Sequence, residues 1–108
     1  MIIILSKKAT PQDLKKASED YKTYIKITVD IDKEIVAVGG EYHADAEKIL
    51  LEKGSLQNNI WGGGVDLILK RFETNAMINL RTSQNSSTEI LDEKIREKFL
   101  KICHKMIF

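Results

Sequence analysis

The apolar positions of the chain change period several times, and each change predicts a new element. Met1-Ile2-Ile3-Ile4-Leu5 is an unbroken apolar run and predicts a buried strand. Thr10-Pro11-Gln12-Asp13 then offers a hydroxyl cap, a proline where no helical donor is missed, and a carboxylate in the first turn. Leu14, Ala17 and Tyr21 follow at helical spacing, so the pattern predicts a helix over residues 11–21. From Tyr24 the period becomes two, with Ile25, Ile27 and Val29 on one face, and Asp30-Ile31-Asp32-Lys33 supplies a turn before Ile35-Val36-Ala37-Val38. These two runs predict an antiparallel hairpin that ends at Gly39-Gly40.

A second helix is predicted over residues 46–53, with Asp45 as its cap and Gly54 as its left-handed stop. Ile60–Leu69 and Phe72–Arg81 read as a second hairpin joined near Lys70-Arg71, its second strand turning Phe72, Thr74, Ala76, Ile78 and Leu80 to the core and Arg81 away from it. Asp92 caps a last helix to residue 106, with Ile95, Phe99, Ile102, Cys103 and Met106 on its apolar side. The expected class is α+β: helices near residues 11–21, 46–53 and 92–106 over a mainly antiparallel sheet of about five strands.

A length of 108 residues suits one domain, 1–108, with a single core. Seventeen basic against sixteen acidic residues leave a net charge of +1, so no global field gathers nucleic acid or anionic lipid, and nucleic acid is not the expected partner. The apolar start is too short to span a membrane and lacks the basic leader of a signal peptide. Cys103 is the only cysteine, which excludes an internal disulfide and agrees with a cytoplasmic location; a buried small hydrophobe is its simplest role. No cofactor is indicated, and a homo-oligomer stays open.

Two polar segments follow strand ends, where functional groups are commonly mounted. In Glu41-Tyr42-His43-Ala44-Asp45-Ala46-Glu47, His43 with Asp45 suits an oriented general base. The same residues with Glu47 suit N/O metal ligation, and Asp45 is equally explained by capping; no metal site is assigned. In the second segment Arg81 precedes Thr82, Ser83, Gln84 and Asn85, a fork of donors among neutral donors that fits a planar anion, or else a loop that satisfies its own backbone. No nucleophile elbow surrounds Ser83, and Trp61-Gly62-Gly63-Gly64 lacks the Lys-Ser/Thr of a phosphate loop; its glycines imply a bulge or a close approach.

Taken in order, Glu41–Asp45, Gly54-Ser55-Leu56-Gln57, Ile60-Trp61-Gly62, Ile78–Asn85 and Ile95-Arg96 resemble a family of small prokaryotic proteins that is a domain of unknown function. Its pattern runs H-A-D, G-S-x-Q, L-W-G and I-N-I-R-P-S-Q-x-N-x-S; here Ile60 replaces the leucine and Thr82 the proline. The resemblance carries no activity. It implies that His43, Asp45, Gln57, Trp61, Asn79, Arg81, Ser83, Gln84 and Asn85 belong to one recurring arrangement. The expected function is therefore a polar pocket for an anionic small molecule, in a ligand-binding protein or a small enzyme using His43 and Asp45. The alternative is a non-catalytic interaction or dimerisation module that uses strand edges or Met106-Ile107-Phe108. On the pocket reading Trp61 borders the ligand, and Arg81→Ala leaves the thermal midpoint almost unmoved.

Overall fold

The computed structural model describes all 108 residues. Five strands, β1 (Ile2–Leu5), β2 (Tyr24–Asp30), β3 (Ile35–Gly39), β4 (Ile60–Asp66) and β5 (Arg71–Glu73), form one sheet in the order β1-β3-β2-β4-β5, with every pair antiparallel. Three helices, α1 (Pro11–Ala17), α2 (His43–Glu52) and α3 (Glu93–Ile107), complete the α+β fold.

The period-two strands sort their side chains onto two faces. Ile25, Ile27, Val29, Val36, Val38, Trp61 and Val65 pack with Phe99, Ile102, Cys103, Met106 and Ile107 of α3 and with Ala17 of α1. Ala37 and Ile60 face the other way, against Ala46 and Leu50 of α2. Burying such aliphatic side chains contributes roughly 1.5–3 kcal/mol each, so the larger cluster under α3 dominates the core.

The local signals explain where elements begin. Thr10 and Asp13 close a reciprocal capping box, with Asp13 N–H donating to Thr10 Oγ1 at 3.1 Å and Thr10 N–H to Asp13 Oδ2 at 2.9 Å. Asp92 Oδ1 accepts the N–H groups of Lys94 and Ile95 at the start of α3. Asp30 Oδ1 accepts those of Asp32 and Lys33, which makes the β2–β3 turn, while its other oxygen accepts the buried Ser55 hydroxyl at 2.6 Å. The Gly-Ser pair after α2 is thus structural. Gly54 takes φ +98°, and Ser55 ties that end of the helix to the hairpin.

Several boundaries differ from the sequence expectation. The first helix stops at Ala17 rather than residue 21, because Asp20 turns back to accept the N–H of Gly40 and pulls the chain off the helix, leaving Tyr21 exposed. The second begins at His43 rather than 46. Its cap is Tyr42, without a side-chain hydrogen bond, and Asp45 lies inside the first turn. The largest difference is in the second hairpin, where β4 ends at Asp66 and the Asp66 carboxylate holds the turn by accepting the N–H groups of Ile68 and Leu69. Its partner runs only over Arg71–Glu73, not to Arg81; Leu80, expected in the core, is 52% exposed, and Asn79 is fully buried.

Candidate functional site

Because β5 covers only Gly64–Asp66, the outer edge of β4 from Ile60 to Gly63 has no strand beside it. An open edge with buried backbone groups demands partners. Asn79, at the end of a single 3-10 turn (Met77–Asn79), provides them with its side chain: its Oδ1 accepts Gly62 N–H at 2.8 Å and its Nδ2 donates to Gly62 O at 2.9 Å. One amide thereby imitates the next strand. The same Nδ2 reaches Thr74 O at 3.3 Å and Thr88 O at 3.0 Å, which closes the loop that leaves the sheet. Gly62 is required here, since a Cβ would lie 2.7 Å from Ala76 Cβ and 3.0 Å from His43 Cδ2.

Asn85 does a similar job one layer out. Its Nδ2 donates to the carbonyls of Asn79, Ser87 and Glu89 at 2.7–2.9 Å, and its Oδ1 accepts Leu91 N–H. Both asparagines are buried and their polar atoms are fully engaged.

Arg81 continues the edge cover. Its guanidinium donates through Nη2 to Ile60 O, through Nη1 to Asn58 O at 3.4 Å and through Nε to Ile78 O at 3.4 Å, and lies over the Trp61 ring with 4.0 Å to the centroid. Arg81 makes no ion pair. The carboxylate that acts on it is Glu47 of α2. Burial holds the Glu47 carboxyl above its ordinary range, with the Arg81 charge opposing that rise, and burial lowers the Arg81 guanidinium.

Beside Arg81 opens a cleft of about 350 Å³ lined by Gln57, Asn58, Leu80, Thr82, Ser83 and Gln84. The side chains of Gln57, Asn58, Thr82, Ser83 and Gln84 make no hydrogen bond within the protein; the contact from Asn58 to Arg81 is through its backbone. A ring of unengaged amides and hydroxyls around one arginine is an anion-binding chemistry.

His43 stands elsewhere. It opens α2 and lines a smaller cleft of about 190 Å³ with Lys26, Tyr42, Ala44, Met77 and Ile78. Its Nε2 is 2.6 Å from Gly63 O; a carbonyl only accepts, so Nε2 carries the proton, leaving Nδ1 as the basic nitrogen. Desolvation and then the nearby Lys26 lower its pKa, while the Gly63 bond raises it, and the net direction is down. Asp45 is exposed and makes no hydrogen bond to His43, so Gly63 orients the ring in its place. No group of three or more His, Cys, Asp or Glu side chains is placed to hold a metal ion.

The structure thus gathers Gln57, Arg81, Ser83 and Gln84 at one cleft and separates His43 and Asp45 from it. Trp61, 1% exposed, lies in the α3-side core and meets the cleft through Arg81; its indole N–H has no protein acceptor. Asn79 and Asn85 are scaffold. Asn58 and Leu80 are lining residues that sequence reasoning passed over, although Gln57-Asn58-Asn59 immediately before a strand was a usable signal. Met106 and Ile107, expected as a candidate partner-binding end, are buried in the core, and Phe108 lies against Phe72.

No helix is long and apolar enough to cross a membrane. Neither the curated proteins nor the solved structures provide a match. The sequence profile of a family described as protein of unknown function, DUF5674, matches residues 3–106, and the chain belongs to that family.

Proposed function

We propose that this protein is a small cytoplasmic binding protein whose Arg81 cleft holds an anionic small molecule. The observation that supports this reading is the wiring: five neutral polar side chains around a half-buried arginine have no partner in the protein, while the asparagines on either side have every polar atom engaged. These five side chains are exposed and satisfied by water in the free protein, so an anion can take them up without breaking an internal hydrogen bond. Binding rather than catalysis is favoured because the candidate base His43 and the anion fork Arg81 line different clefts.

Trp61 offers the test, since an anion at Arg81 changes the charge stacked on the indole. Titration of the full chain with sodium acetate and with inorganic phosphate at constant ionic strength should give a saturable change in Trp61 fluorescence for at least one anion. Gln84→Ala should weaken it at least about tenfold, the lower end of the loss expected for one hydrogen bond to a charged ligand. A signal that only follows ionic strength would refute the site.

A further inference from the structure

We infer that the ligand of the Arg81 cleft is a carboxylate attached to an aliphatic body, not a phosphate. This rests on the anion-site reading above and names the class of molecule it takes.

A guanidinium has five N–H groups, and three of those on Arg81 are directed at the carbonyls of Ile78, Asn58 and Ile60. Two remain, which is the number a carboxylate takes in a two-pronged pairing. A phosphate presents three terminal oxygens and close to two charges, and is ordinarily met by a second cation or a row of backbone N–H groups. Here every other lining residue is neutral.

The local field favours the same ligand. Three carbonyl dipoles turn their negative ends on the guanidinium, and the Glu47 carboxyl acts on it from α2. These reduce the positive potential left for a ligand, which disfavours a doubly charged anion more than a singly charged one.

The rim then specifies the rest of the molecule. Leu80 lines the cleft at 52% exposure. A large aliphatic side chain left in water at the rim of a polar cleft is covered by a ligand whose carboxylate sits at Arg81 and whose apolar part lies outward. A free aliphatic acid and the C-terminal residue of a peptide share that chemistry.

The experiment is an NMR titration of the full ¹⁵N-labelled chain with acetate, hexanoate, N-acetyl-leucine and inorganic phosphate, following the Arg81 Nε–H and the Leu80 amide. Hexanoate or N-acetyl-leucine should bind at least about tenfold more tightly than acetate, a modest share of the roughly fourfold per fully buried methylene. Phosphate should be weaker than acetate, and Leu80→Asn should bring the ratio of hexanoate to acetate affinity toward one. Preference for N-acetyl-leucine over hexanoate would assign the peptide source, and the reverse the free acid; either supports the inference. Phosphate binding more tightly than both, or no gain beyond acetate, overturns the carboxylate inference and leaves the anion site standing. No response at Arg81 to any of the four anions overturns both.

Discussion

Asn79 and Gln84 belong to one polar loop and carry the same terminal amide, yet the fold uses them in opposite ways. Asn79 is buried with four hydrogen bonds and replaces a missing strand, whereas Gln84 is exposed with none and lines a cleft. The difference teaches that polarity in a loop has two meanings. Where an amide faces an open strand edge it becomes backbone by proxy; where it faces water beside an unpaired charge it is available to a ligand. Arg81 stands between them, with three donors given to backbone carbonyls and two left over.

The contrast is tested most severely at Asn79. Asn79→Ala strands the N–H and C=O of Gly62 inside the protein and frees Thr74 and Thr88, so urea unfolding should show a loss of about 3 kcal/mol or more. A loss under about 1 kcal/mol would mean that the edge does not depend on this amide.

A smaller loss is expected at Arg81. The sequence expectation that Arg81→Ala is nearly silent does not hold for a guanidinium bonded to three carbonyls and stacked on Trp61; about 1–3 kcal/mol should be lost. Arg81→Lys should recover less than half, because an ammonium cannot serve three carbonyls in one plane. Full recovery by lysine would reduce the role of Arg81 to its charge.

The smallest effect is that of pH on the second cleft. Burial lowers the His43 pKa below the 6.5 of a free imidazole, so the unfolded chain takes up the proton first. The contribution is present above about pH 6.5 and is lost as pH falls through the folded value, with a slope of at most about 1.4 kcal/mol per unit for one proton. His43→Gln should remove that part of the acid dependence. An unchanged profile would show that His43 titrates as an exposed group.

Much of this was legible in the sequence, and the failures have physical causes. The capping box at Thr10, the alternation of β2 and the apolar side of α3 are local signals, and the structure follows them. Residues 72–81 alternate like a strand, but a buried asparagine side chain took the place of the strand partner at Gly62, a substitution that no periodicity shows. The start of α2 falls before the expected residue because its cap, Tyr42, leaves no side-chain signature. The sequence put Gln57, Arg81, Ser83 and Gln84 into one group with His43, Asp45, Trp61, Asn79 and Asn85, and of these nine only the first four line the Arg81 cleft. Trp61, Asn79 and Asn85 were equally conspicuous, and their roles depend on burial, which a single sequence does not give.

The central claim is that the loop holds two kinds of polar residue, one bound to the fold and one free for a ligand. The most direct measurement takes the triple variant Gln57→Ala, Ser83→Ala, Gln84→Ala and records both its urea stability and its hexanoate titration. Stability should stay within about 0.5 kcal/mol of the parent chain, as for surface side chains without partners, while the ligand response at Arg81 is lost. A variant that loses several kcal/mol, or one that binds hexanoate as well as the parent, would contradict the claim.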